Sequence, residues 1–225
     1  LIITYYFPPS GGAGVQRVLK FVKYLPEYGW EPVVLTVSED AGFPIRDESL
    51  LNEIPDGVRI IRTPLFEPYQ AYKKFTGKSA VQGIDMATLH RQQRTLKDRQ
   101  AEWIRSTFFI PDARRFWKWS AVTAGKRLLK QETFSAIFSS APPYTTHLIG
   151  RSLAKKSSVP WVADFRDSWV GWLSAPDRWW LPRIIDLNLE KSVLKDANRI
   201  THVSKGIRTD LESRHRRIQN DKWVV

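Results

Sequence analysis

The chain has 225 residues, 42% of them hydrophobic and 26% charged, and it contains no cysteine. This composition excludes a disordered segment, a disulfide-stapled domain and thiolate chemistry, and it suffices for one large core or two small ones. Lys and Arg number 35 against 23 Asp and Glu, and the formal charge of +12 points to an anionic partner: nucleic acid, a membrane surface or phosphorylated ligands.

Residues 1–6, LIITYY, read as a buried strand. The chain begins there without Met and reads as a piece of a longer protein. It shows no signal-peptide pattern and no apolar run near the ~20 residues that a membrane span needs. The strand runs into YYFPPSGGAGVQR, residues 5–17. Val15, Val18, Leu19, Val22 and Leu25 then recur at helical spacing, with Lys20 and Lys23 opposite, until Pro26 and Gly29. EPVVLTV at 31–37 is a second strand, which makes a βαβ unit, and VRIIRTP at 58–64 is a third.

The stretch that follows differs: residues 66–130 hold 14 Lys and Arg and 5 Asp and Glu, most of the basic excess. It reads as a loop, a helix from about Asp85 to Arg105, the aromatic and basic FFIPDARRFWKWSA, and a helix near Ala121 to Lys130. Alternation then resumes. SAIFSS (135–140) is a strand, and a helix opens after Pro142 and Pro143 and runs through His147 to Lys156. PWVADF (160–165) is a strand, followed by a Trp-rich loop and a helix from Pro182 to about Lys195. RITHVS (199–204) is a strand, Ser204 caps a helix that ends near His215, and KWVV (222–225) begins a last strand. Six or seven strands alternating with helices predict an α/β, Rossmann-like, doubly wound parallel sheet. Residues 1–225 form one such unit with an insertion at about 66–120. Ending inside a strand implies a further domain.

Four stretches carry chemistry. In SGGAG, glycines let backbone N–H groups approach a ligand, and the helix behind them favours negative charge; a phosphate or sugar site and a plain tight turn both fit. The dinucleotide fingerprint fails because Arg17 stands where its third Gly belongs, and neither a Walker lysine nor a D-x-D sugar-nucleotide site is present. In VADFRDSW, Asp164 and Arg166 point to one side of the strand end and Phe165 and Asp167 to the other. They suit either substrate orientation or a structural ion pair. SSAPPYTTHLIG places Ser139, Ser140, Tyr144 and His147 at the same kind of edge. His90, His202 and His215 lack that placement and read as structural or surface residues. In the basic aromatic stretch, Trp103, Phe108, Phe109, Arg114, Arg115, Phe116, Trp117, Lys118 and Trp119 suit a membrane interface, single-stranded nucleic acid or a sugar acceptor. Phe109, Trp117 and Trp119 fit a core equally well. No spacing of His, Asp and Glu makes a metal site.

Together YYFPPSGGAGVQR, FFIPDARRFW, SSAPPYTTHLIG, WVADFRDSW and EKSVLKDANRITHVSKG resemble the N-terminal half of a GT-B glycosyltransferase of the retaining family 4, of the type found in bacterial surface-polysaccharide loci. The resemblance implies two facing Rossmann-like domains, of which this chain is the acceptor-side one. The C-terminal donor-binding domain is not in it, so the fragment alone is expected to be inactive. A sugar is transferred from a nucleotide-sugar to a glycan or lipid-linked acceptor, with retention and without metal or other cofactor. Gly11, Gly12 and Gly14 face the donor diphosphate. Asp167, Arg166, Asp164 and His147 are the catalytic candidates, with Arg166 standing where many relatives carry His. Tyr144, Arg114, Arg115, Trp117 and Trp103 are the acceptor- or membrane-facing candidates. The implied location is cytoplasmic, peripheral at the anionic inner face of the plasma membrane, with no nucleic acid.

Two other readings share these features. An oxidoreductase or epimerase domain would use Glu39 or Asp40 on a ribose, and Tyr69 and Lys73 have its Tyr-x-x-x-Lys spacing. A nucleic-acid binder would rest on the charge alone.

Overall fold

The computed structural model describes residues 1–66, 103–104, 106–171, 178–215 and 218–224. In chain order its elements are β1 (Ile2–Ile3), α1 (Ala13–Tyr24), β2 (Val33–Val37), β3 (Arg59–Thr63), α2 (Trp117–Gln131), β4 (Ile137–Ala141), α3 (Thr145–Ser157), β5 (Trp161–Phe165), α4 (Trp180–Asp196), β6 (Arg199–His202), α5 (Lys205–Arg214) and β7 (Trp223–Val224). The seven strands form one parallel sheet in the order β3-β2-β1-β4-β5-β6-β7. This is the Rossmann-like α/β arrangement that the alternation of strands and helices implies.

The apolar spacing explains how the layers stack. Val15, Val18, Leu19 and Val22 are fully buried, and α1 packs them with Leu50 against Ile2 and Val34 on one face. The other face carries the larger core, to which α2, α3, α4 and α5 contribute Trp117, Leu153, Leu194 and Leu211. The first strand is shorter than LIITYY suggests. Beyond Thr4, whose N–H still reaches the Leu35 carbonyl at 3.1 Å, the chain leaves the sheet. Tyr5 then enters the larger core and Phe7 the smaller. Helix α2 begins at Trp117 and not near Ala121, because Trp117, Ala121, Gly125 and Leu128 form one buried stripe. Likewise α4 begins two residues before Pro182, a residue the first turn of a helix tolerates. The helix expected at 85–105 lies outside the described residues, apart from Trp103 and Ile104, which are helical.

The strand order reverses between β1 and β4. The chain moves outward from β1 to β2 and β3, then returns to β4 and proceeds the other way. Loops at the C-terminal ends of β1 and β4 therefore diverge and leave a crevice, the position where open α/β sheets bind ligands. The glycine loop follows β1, the Pro-Pro-Tyr turn follows β4, and the Asp-Ser-Trp loop follows β5 beside it.

Candidate functional site

The glycine loop is built for close approach. Gly12 has φ 85° and ψ 178°, a conformation essentially reserved for glycine, and it opens α1 with no side-chain cap. A Cβ on Gly11 would come within 2.9 Å of Ile45 Cγ2, and one on Gly14 would meet the Tyr6 ring at 3.3 Å. The three glycines are not equivalent. The Gly11 N–H already donates to the Ile45 carbonyl at 2.9 Å, so it is not open to a ligand as the sequence suggested. Among the described residues no hydrogen bond uses the N–H groups of Gly12, Ala13 or Gly14, the orphan donors of the first turn of α1. They form a three-amide cradle at the positive end of a twelve-residue helix.

The carboxylates of VADFRDSW are placed in opposite circumstances. Asp164 is fully buried. Arg17 of α1 grips it with Nε at 3.0 Å and Nη2 at 2.8 Å, while Ser140 donates at 2.8 Å and Thr201 at 2.7 Å. Every acceptor position of Asp164 faces a donor, so this residue ties α1 to the sheet. Arg166 is also committed to the backbone. Its guanidinium donates to the carbonyls of Gly14, Ala141 and Pro142, which joins the glycine loop to the end of β4. Burial lowers its pKa from the ordinary arginine value, with the negative charges of Asp164 and Asp167 opposing. Arg166 and Asp167 are both half-buried, but Asp167 alone of the three makes no hydrogen bond or ion pair among the described residues.

His147, a catalytic candidate from its position, lies wholly inside the core. Its Nδ1 meets Ser139 Oγ at 2.9 Å, its ring lies 4.5 Å from that of Phe165, and Nε2 has no partner among the described residues. Burial drives its pKa down to about 3, so it is neutral and sealed from substrate. Tyr144 is buried as well; its ring stacks on Trp169 at 4.7 Å and its hydroxyl donates to the Ser168 carbonyl at 2.9 Å. Trp117 has no exposed surface, and its Nε1 donates to Thr63 Oγ1 at 2.8 Å. Neither Tyr144 nor Trp117 therefore presents a face to an acceptor or a membrane. Arg114 is half-buried with its guanidinium 5.0 Å from the Tyr5 ring centre, whereas Arg115 and Trp103 lie on the surface.

Supporting residues appear that no sequence spacing marks. Asp112, from the basic aromatic stretch, accepts from the Thr145 N–H and hydroxyl, both at 2.8 Å, and so caps α3 from a distant segment. Arg178 donates to the carbonyls of Ser106, Phe109 and Pro111 and pairs with buried Asp186 at 2.9 Å. Burial raises the Asp186 pKa to about 6 despite that partner. Glu190, fully buried, accepts from the Val170 N–H, Arg214 and His215. Burial by itself would raise its pKa, but the hydrogen bonds from His215 and Arg214 prevail and lower it. These groups hold the loop that carries Asp167.

Residues 11–225 match the family model described as a glycosyl transferase 4-like domain. The chain belongs to that family. A search of the curated proteins finds no match. Membership makes this glycosyltransferase domain a partner of a sugar donor and an acceptor, and it agrees with the crevice geometry. Glu39, one of the two acids an oxidoreductase would use, is paired with Arg62 at 3.0 Å. Tyr69, Lys73 and His90 lie outside the described residues. Among the described residues no cluster of three or more His, Asp or Glu could hold a metal, and no helix is long and apolar enough to cross a membrane.

Proposed function

We propose that this glycosyl transferase 4-like domain forms the acceptor-side wall of a cleft in which a sugar passes from a nucleotide-sugar to a glycan or lipid-linked acceptor, with retention and without a metal. The observation that carries this reading is the three-amide cradle of Gly12, Ala13 and Gly14 opening onto the crevice between β1 and β4. Departure of a nucleoside diphosphate develops negative charge on its terminal phosphate. Preorganised N–H donors at a helix N-terminus stabilise such charge where it forms. Asp167 is the carboxylate left open to substrate, able to orient an acceptor hydroxyl. Asp164 and Arg166 act through others: the first holds α1 and the second holds the glycine loop against β4. His147 supports the same edge from within. The second wall of the cleft, with most of the donor site, belongs to a separate domain, and the present chain alone turns over little or no sugar nucleotide. The charge of +12 suits work at an anionic membrane on its cytoplasmic side, as in surface-polysaccharide synthesis.

The test is an NMR titration of the chain with UDP-sugars, GDP-sugars and NAD. Shifts of the Gly12, Ala13 and Gly14 amides with a sugar nucleotide support the reading. Shifts with NAD alone assign the crevice to an oxidoreductase and overturn it.

A further inference from the structure

Of the aromatic residues the sequence offers for a membrane, Trp117 is core, while Trp103 and Phe108 join α4 in a surface that is apolar, aromatic and basic. It is assembled from two segments. On α4, Trp180 (67% exposed), Leu181, Ile184 and Ile185 share one outward stripe. Beside them stand Trp103 and Phe108, both more than half exposed, with ring centres 6.0 Å apart. The segments are fastened together: Trp179 Nε1 donates to Thr107 Oγ1 at 3.0 Å, and Arg178 holds the carbonyls of Ser106, Phe109 and Pro111. An apolar surface held in shape by a buried ion pair is a feature of the fold and not a frayed end.

Charge selects the partner. The acids in the first three turns of α4, Asp186 and Glu190, both turn inward and are paired, so its outward face carries Arg183 and Lys191 with no exposed carboxylate. Arg115 is exposed on the neighbouring segment. A second copy of this chain would bring +12 against +12, which disfavours self-association across this surface. Tryptophan rings and aliphatic side chains with basic neighbours match the boundary of an anionic bilayer, where rings sit at headgroup level and each cation near the surface adds to binding.

We infer that the stripe Trp180, Leu181, Ile184 and Ile185, together with Trp103 and Phe108, seats this domain on an anionic lipid surface. Because α4 starts at the C-terminal edge of the sheet, and Trp169 ties its Asp186 to the loop that bears Asp167, the contact turns the crevice edge toward the bilayer. The lipid contact stands independently of the glycosyltransferase reading; only delivery of a lipid-linked acceptor to Asp167 rests on it.

The experiment is co-sedimentation of the chain with vesicles of phosphatidylcholine alone and of phosphatidylcholine with phosphatidylglycerol. We expect binding to the anionic vesicles, weakened about tenfold or more in the double variant Trp180→Ala/Ile184→Ser. Trp119→Ala, which removes an 87% exposed ring on α2, is expected to leave it unchanged. Quenching of wild-type tryptophan emission by bromine-labelled acyl chains is a second readout that needs no variant. Equal binding to both vesicle types, undiminished binding of the double variant, or no quenching would overturn the proposal. So would a dimer in sedimentation velocity that the double variant abolishes, since that assigns the surface to a second copy.

Discussion

At the crevice between β1 and β4 the amides of Gly12, Ala13 and Gly14 have no hydrogen-bond partner among the described residues, and beside it Asp167 has none either. A short way along the same edge, behind Asp167, the polar groups are saturated: Glu190 accepts from Val170, Arg214 and His215, and Arg214 also pairs with Asp210 at 2.6 Å. Both regions are rich in charge, so charge density does not distinguish them. Unused hydrogen-bonding capacity does. A buried polar group is costly unless it is paired, so a fold completes its internal networks and leaves open the groups that meet something else. In the proposed reading the first region binds and the second holds it in place.

The comparison breaks most visibly at Glu190. Glu190→Gln leaves Arg214 short of a counter-charge and should cost about 3 kcal/mol or more in urea unfolding. Because the folded pKa of Glu190 is lowered, its contribution is full above the ordinary glutamate range and is lost as pH falls through the folded value. The variant should therefore lose stability chiefly near neutrality and differ less from wild type in acid. An unchanged midpoint at neutral pH would show that the network is dispensable.

His147 tests the sealed interior on the pH axis. Its folded pKa of about 3 lies below the unfolded value near 6.5, so the unfolded chain takes up a proton first. Stability should fall as pH drops below 6.5, by about 2–3 kcal/mol over two pH units. In His147→Phe, which keeps an aromatic ring beside Phe165, that part of the slope should vanish. A slope identical to wild type would mean that His147 is not the group responsible.

Smaller effects belong to the open region. Gly12→Ala forces a side chain into a backbone conformation that suits glycine and should cost about 1–3 kcal/mol, with loss of the amide shifts on sugar-nucleotide titration. Asp167→Asn should change stability by less than about 0.5 kcal/mol, since no hydrogen bond or ion pair is lost. If the residue acts on the acceptor, the same change lowers transfer by the complete enzyme about a hundredfold. A destabilised Asp167→Asn protein would move this carboxylate into the structural class with Asp164.

Much of the fold was legible because its signals are local. Val15, Val18, Leu19 and Val22 recur at helical spacing and are all buried, and strand–helix alternation implied the parallel sheet. The start of α2 was displaced, since Trp117 reads equally well as surface aromatic or core until its neighbours across the sheet are known. The glycine loop could be located from the sequence, but the division of labour within it could not. The Gly11 amide is engaged by Ile45, a residue of a separate loop.

By itself, then, the sequence determined the layer architecture, the place of the glycine loop between β1 and α1 and the kinship with glycosyl transferase 4-like domains, because periodicity, turn chemistry and motif order are properties of neighbouring residues. Only the tertiary structure decided which of the two aspartates of VADFRDSW stays open. Asp164 is claimed by an arginine 147 positions away and by hydroxyls from β4 and β6, while no described group reaches Asp167. Whether a charged group is satisfied depends on which distant segments the fold brings within hydrogen-bond range, and no local pattern carries that information.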